Sequence, residues 1–280
     1  MSLSMLGRRN NSAVERLTLG TLHSLDAMAG LDSPVHRLDP RAKLVATMFF
    51  VVAVMSFERH SLGAVLPFAL FPAVLFGLSG LPLRPIVTAL AAATPFAVVV
   101  GLFNPFFERE PALMLGGIAI SGGWLSFASI LLRAALTVSA ATVLVATTGM
   151  HRTAMALERL GVPRVFVLQL LFVYRYIFVL GEEAASLVRA VRLRSFGKPT
   201  GIALFGRLAG SLLLRTLDRA QRIHRAMVSR GFDGTVRFLG ELRLRTGDVV
   251  FCAVTLVCFA VARVVDVPLL LGRLLTGGSL

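Results

Sequence analysis

Arg189-Ala190-Val191-Arg192-Leu193-Arg194-Ser195-Phe196 and Arg225-Ala226-Met227-Val228-Ser229-Arg230-Gly231-Phe232 are two copies of one pattern, Arg-Ala-x-x-x-Arg-small-Phe, set 36 residues apart. Each copy closes a basic stretch with helical spacing. From Glu182 to Phe196, Ala184, Leu187, Val188 and Val191 share one face, and Ser186, Arg189 and Arg192 share another. Glu182 and Glu183 open this stretch and Arg192 and Arg194 close it, the charge order a helix dipole favours. Gly197 and Pro199 stop it. From about Ala203 to Arg230, an apolar stripe of Leu213, Leu217, Ala220 and Met227 runs beside Arg215, Arg219 and Arg222, and Gly231 is the stop. The spacing predicts two amphipathic helices, each with an arginine in its last turn.

The rest of the chain is mostly apolar. Of 280 residues 56% are hydrophobic and 16% charged, with a mean hydropathy of +0.78. Soluble domains carry about 25% charged residues, so the composition is that of an integral membrane protein. The net charge is +14, and between Met150 and Gly247 alone 17 Arg or Lys face six Asp or Glu. Basic residues gathered between apolar segments fit cytoplasmic retention, not nucleic-acid binding.

A spanning helix needs about 20 apolar residues. The sequence predicts five spans: Leu44–Phe57, Leu62–Leu78, Ile86–Phe107, Trp124–Thr147 and Val249–Ala262, the last extending towards Leu271. Leu113–Ile120 is too short to span and reads as an interfacial or re-entrant piece. Val162–Leu180 is apolar enough to span, yet holds Tyr174-Arg175-Tyr176, and is expected to lie along the cytoplasmic surface. The expected organisation is therefore all-α: a cytoplasmic segment 1–43, transmembrane helices over 44–147, a cytoplasmic coupling domain 148–247, and a last span and tail over 248–280. Residues 1–43 are polar, so no cleavable signal is expected.

Other chemistries find little support. Gly197-Lys198-Pro199-Thr200 looks like the end of a phosphate-binding loop, but Arg192 stands where its leading glycine belongs. Glu183-Ala184-Ala185 is a weak likeness to the coupling loop of conventional ABC permeases, with Arg189 in place of the expected glycine. His23, His36, His60, His151 and His224 are scattered and read as surface residues, not metal ligands. Cys252 and Cys258 lie in the last apolar segment as packing residues. No catalytic residue, metal site or cofactor is expected. Arg133, deep in a predicted span, reads either as a buried polar contact or as a snorkelling side chain. The two arginine helix ends likewise have two readings, satisfaction of the dipole beside anionic lipid or docking of a soluble partner, and the duplication favours docking.

Several ordered motifs carry a family resemblance. Ser33-Pro34-Val35-His36-Arg37-Leu38-Asp39-Pro40-Arg41-Ala42-Lys43 resembles the entry to the first span of the T component of energy-coupling factor (ECF) transporters. Leu160-Gly161-Val162-Pro163-Arg164 and Tyr174-Arg175-Tyr176 resemble the start and middle of that family's cytoplasmic region. The two arginine patterns resemble its paired X-Arg-X motifs. The likeness covers about residues 30 to 265, and within the family it is most like CbiQ, the cobalt-transporter member. It implies a non-catalytic, multi-pass subunit of the cell inner membrane that works with two CbiO-like ATPases and a substrate-binding S component (CbiM-like, with CbiN). It further implies that Arg194 and Arg230 enter grooves on the ATPases, flanked by Leu193, Ser195, Ser229 and Gly231 and supported by Arg189, Arg225, Phe196 and Phe232. The triplets here are Leu-Arg-Ser and Ser-Arg-Gly where the family commonly has Ala-Arg-Gly. Cobalt is the expected substrate, with nickel, a vitamin, or a conventional ABC permease as the alternatives.

Overall fold

The computed structural model describes residues 28–57, 62–104, 111–115, 118–195, 202–234 and 244–264. They divide into two compact units, one holding residues 28–156 with 244–264 and the other residues 157–234.

In the first unit, Ser33 caps the short helix α1 (Pro34–Arg37) and Asp39 caps α2 (Pro40–Met55). Each has proline in its first turn, where the missing N–H is no loss. The segment after α2 is helical in three pieces: α3 (Leu62–Val65), a 3₁₀ turn (Leu66–Ala69) and α4 (Leu70–Ser79). Pro67 and Pro72 fall in the opening turns of the second and third pieces, because proline begins a helical segment more readily than it continues one. Gly80, at φ +66°, ends α4. Then come α5 (Arg84–Leu102), strands β1 (Pro111–Leu115) and β2 (Ile118–Ser121), α6 (Gly122–Thr148) and α7 (Met150–Arg159), whose last residues belong to the second unit. The second unit continues with α8 (Arg164–Arg194) and α9 (Ile202–Val228), and α10 (Thr246–Val264) returns to the first.

The described residues are those of an all-α membrane protein with one exception. The expected interfacial piece at Leu113–Ile120 is an antiparallel hairpin pairing Leu113 with Ile120 and Leu115 with Ile118. In the sequence Gly116-Gly117 lie between the two strands, outside the described residues. Among the described residues four helices, α5, α6, α8 and α10, are long and apolar enough to cross a membrane. α2 has only 16 residues, about 24 Å at 1.5 Å per residue, and Leu62–Ser79 is broken near its prolines into shorter pieces. One further expectation is corrected, that for the stretch from Val162 to Phe196. The expected surface helix at Val162–Leu180 and the expected separate helix at Glu182–Phe196 are one continuous α8 of 31 residues, spanning-capable by length and composition. A single interior glycine, Gly181, costs only about 1 kcal/mol relative to alanine, too little to divide so long a helix.

α2 contributes to the main hydrophobic cluster of its unit. Phe50, fully buried, stacks on Phe71 with centroids 4.9 Å apart and packs against Phe68 and Phe259. Phe57 meets Phe68 edge to face. Phenylalanines from α2, the 3₁₀ turn, α4 and α10 thus share one cluster, with Val54, Val65, Leu136 and Ala140 around it. Where α5 meets α6, a Cβ on Gly101 would stand 2.7 Å from the Phe127 ring, so the close approach needs glycine there.

Candidate functional site

Both arginine helix ends lie in the second unit. α8 and α9 run antiparallel. Val188, Val191 and Arg192 of α8 share a gap of about 40 Å³ with Leu204, Phe205 and Leu208 of α9. Further back on α8, the Glu183 carboxylate pairs with Arg215 at 3.7 Å and Arg219 at 3.2 Å. As the chain goes up α8 from 183 to 192, its neighbours on α9 go down from 219 to 204. The consequence is geometric: Arg194 and Arg230 stand at opposite ends of the pair, separated by the length of α9, about 40 Å at 1.5 Å per residue.

The two ends differ in backbone. Beyond α9, Phe232 N–H donates to the Met227 carbonyl and Gly231 N–H to that of Val228, both at 3.0 Å. With Gly231 at φ +80°, this is a Schellman termination whose cap residue is Arg230. Arg194 is the last residue of α8, and Ser195 after it keeps right-handed helical angles, its N–H donating to the Val191 carbonyl. The small residue of the repeated pattern is therefore a left-handed stop in one copy and a helical residue in the other. Arg189, Arg194, Arg225 and Arg230 are exposed, as are Ser229, Gly231 and Leu193, the last at 79%. Ser195 and Phe232 are half-buried. Among the described residues neither the Arg194 nor the Arg230 guanidinium has an ion pair or hydrogen bond. Phe196 and the Gly197–Thr200 stretch lie outside the described residues.

The motif Ser33–Lys43 has a different part, which sequence reasoning missed. It lies in the first unit, at the N-terminus of α2. The Asp248 carboxylate, 3% exposed, accepts the Asp39 N–H through one oxygen and the Arg245 N–H through the other, both at 2.8 Å. Asp39 and Arg245 are the residues that precede α2 and α10, so one carboxylate ties two helix starts that are 209 residues apart along the chain. Buried Lys43 donates to the Thr147 carbonyl at 3.0 Å, placing a cation on the C-terminus of α6. The far end of α2 is held too. Arg133 donates to the Phe57 carbonyl at 3.0 Å, and Arg263 donates to the Ser56 carbonyl at 3.2 Å while lying over the Phe57 ring. Arg133 is thus a polar contact within the bundle.

His36 is buried, not on the surface as expected, because Met28 and Ser33 give its ring two partners. Nε2 faces the Met28 carbonyl and so carries the hydrogen, and Nδ1 accepts from the Ser33 hydroxyl at 2.7 Å. Burial first, and the Lys43 charge second, hold its pKa below the ordinary value of 6.5, with Arg152 adding to the effect and Asp32 and the Met28 hydrogen bond opposing it. The neutral ring is the form that fits. His36 therefore contributes stability above its unfolded pKa that is lost as pH falls through the lower folded one. Unfolding midpoints of detergent-solubilised protein should fall between pH 7.5 and pH 5 more steeply for the native chain than for His36→Gln; equal slopes would discount the ring. His151 and His224 are exposed, and His23 and His60 lie outside the described residues. Among the described residues no three His, Cys, Asp or Glu side chains gather as a metal site.

Spanning-capable helices α5, α6 and α10, joined in sequence to the α8–α9 pair whose arginine ends have no ion pair or hydrogen bond among the described residues, define a class: a multi-helix membrane protein that presents binding surfaces. The chain belongs to the CbiQ family of cobalt transport proteins, whose model matches residues 32–238. It is 30% identical to the energy-coupling factor transporter transmembrane protein EcfT of Limosilactobacillus fermentum, over 72% of this chain and 81% of that one. It is 31% identical to the cobalt transport protein CbiQ of Salmonella typhimurium, over 47% of this chain and 64% of that one. With BioN of Rhizobium etli, another energy-coupling factor transporter transmembrane protein, it shares 33% identity over 35% of this chain and 48% of that one. It is a T component of the ECF transporters, related to CbiQ.

Proposed function

We propose that this chain is the coupling subunit of a Co²⁺ importer of the inner membrane, with α8 and α9 on the cytoplasmic side. Two ATPase subunits each receive one arginine end, Arg194 or Arg230, and a substrate-binding S component of the CbiM kind, with CbiN, carries the metal. The observation behind this reading is the antiparallel pair itself. It sets two exposed guanidiniums, neither with an ion pair or hydrogen bond among the described residues, about 40 Å apart, a spacing that gives each its own partner. A guanidinium presents five donors in a planar fork suited to carboxylates and backbone carbonyls. ATP binding draws the two ATPases together, so the ends they hold must move. A helix pair joined by side-chain contacts passes that motion on, whereas a flexible segment would absorb it. The chain itself catalyses nothing, and hydrolysis belongs to its partners.

The cargo is read from kinship. The matching family is described as cobalt transport, and cobalt stands in the name of the Salmonella relative. Purification of the tagged chain in mild detergent is expected to bring down ATPase in a ratio of two to one, together with a small membrane protein that binds Co²⁺. A vitamin- or nickel-binding companion would overturn the cobalt assignment and leave the coupling role. Substrate binding by this chain alone would overturn both.

A further inference from the structure

Glu183 has no part in the coupling reading, yet it is the acidic residue that α8 turns towards α9. Its side chain is 18% exposed, while its partners Arg215 and Arg219 are 56% and 37% exposed. Each carboxylate oxygen faces a different arginine, Oε1 towards Arg215 and Oε2 towards Arg219. Arg215 and Arg219 are one helical turn apart, so they meet the carboxylate from one face of α9. Towards the end of α8 the two helices line a mostly apolar gap, with Val188, Val191 and the stem of Arg192 facing Leu204, Phe205 and Leu208. Apolar contact is non-directional, so this patch holds two rods together without fixing the angle between them. Glu183 lies five to nine residues away along α8, about 10 Å at 1.5 Å per residue. Two separated points of contact define an angle where one does not.

We propose that Glu183 is a positioning residue: gripped by Arg215 and Arg219, it fixes the angle at which α8 crosses α9, and thereby where the Arg230 end stands relative to α8. The lever is long. From Gly206, between the apolar contacts Phe205 and Leu208, to Arg230 is about 36 Å along α9, so a swing of about 10° at the apolar patch moves the Arg230 end by about 6 Å. A displacement of that size takes a guanidinium out of any groove shaped for it. The brace is also ionic and partly open to water, so it holds an angle while leaving it able to change under load.

The consequence for transport rests on the coupling reading; the consequence for helix geometry does not. The test uses the full chain in nanodiscs, with Cys252 and Cys258 changed to serine and spin labels at Ser186→Cys and His224→Cys. The native brace is expected to give one narrow distance distribution. Glu183→Gln should broaden it, Glu183→Arg should broaden it further by bringing three cations together, and adding Arg219→Glu to Glu183→Arg should recover much of the narrowing. An unchanged distribution in Glu183→Gln, or no recovery on charge exchange, overturns the proposal. In the assembled transporter, Glu183→Gln should keep both ATPases bound and lower transport per ATP hydrolysed about tenfold, the scale on which residues within a coupling network act. If the distances respond as expected but ATPase binding proves independent of Arg194 and Arg230, the brace stands and the coupling reading fails. Unchanged distances alongside arginine-dependent ATPase binding remove the brace and leave the coupling reading standing.

Discussion

Arg194→Ala combined with Arg230→Ala is expected to abolish both ATPase co-purification and Co²⁺ uptake while leaving the protein folded. Each guanidinium is exposed and unpartnered among the described residues, so its removal takes nothing from the packing of the second unit. The loss falls on binding. Truncating one partner of a desolvated, charge-assisted contact costs about 2–5 kcal/mol, and each 1.4 kcal/mol is a factor of about ten in affinity. Either single variant should therefore weaken capture by at least about thirtyfold at that end, with the other end still holding its ATPase. The double variant has no anchored end. Arginine to lysine should behave more like alanine than like arginine, because an ammonium cannot reproduce the planar fork. Arg222→Ala, an exposed arginine on the same helix but away from its end, is the control and should assemble and transport normally. Full assembly by the double variant would remove these two residues from the mechanism. Loss of the helical circular-dichroism signal would instead mark a folding role.

How much of this is legible in the sequence depends on whether the information is local. α9 follows from a stripe of apolar residues at helical spacing, a basic stripe beside it and a glycine stop. Its observed extent, Ile202–Val228, is within two residues of the expected one. The continuity of α8 escapes a local reading because Gly181-Glu182-Glu183 resembles a boundary, and the cost of one glycine is only visible against 31 residues of helix. The hairpin at Pro111–Ser121 escapes because four- and five-residue strands leave little pattern around Gly116-Gly117. Longer-range features have no local signature. Asp248 and Asp39 are far apart in sequence, and nothing in either neighbourhood names the other. Glu183 is legible as a favourable charge near a helix beginning, but its two arginines lie more than 30 residues on. The Ser33–Lys43 motif is conspicuous as a likeness and opaque as physics until Lys43, Asp39 and His36 prove buried.

That buried motif yields the largest stability effect. Asp248→Ala is expected to lower the unfolding midpoint of the solubilised protein more than any exposed substitution. Asp248 is the third residue of α10, and its Oδ2 reaches back to the Arg245 N–H, the acidic half of a capping box. Its Oδ1 takes the Asp39 N–H, which no turn of α2 can satisfy. Two helix N-termini converge on one carboxylate, and both dipoles favour its negative charge. Hydrogen bonds to a charged group contribute about 1.5–3 kcal/mol each, so alanine should cost about 3–5 kcal/mol, with the Asp39 N–H left buried and unmet. For a chain of this size that corresponds to a fall on the order of 10 °C. Asp248→Asn should cost about half as much, since an amide oxygen replaces one acceptor while its NH₂ faces a donor. The exposed Arg37–Asp32 pair is the contrast: both its hydrogen bonds are 2.8 Å long, yet Asp32→Ala should hardly move the midpoint, because water serves each ion as well as its partner does. Equal effects at Asp32 and Asp248 would mean that α2 and α10 are held by apolar packing alone. The graded order, alanine below asparagine below aspartate at position 248, is the signature of a carboxylate fastening α2 to α10.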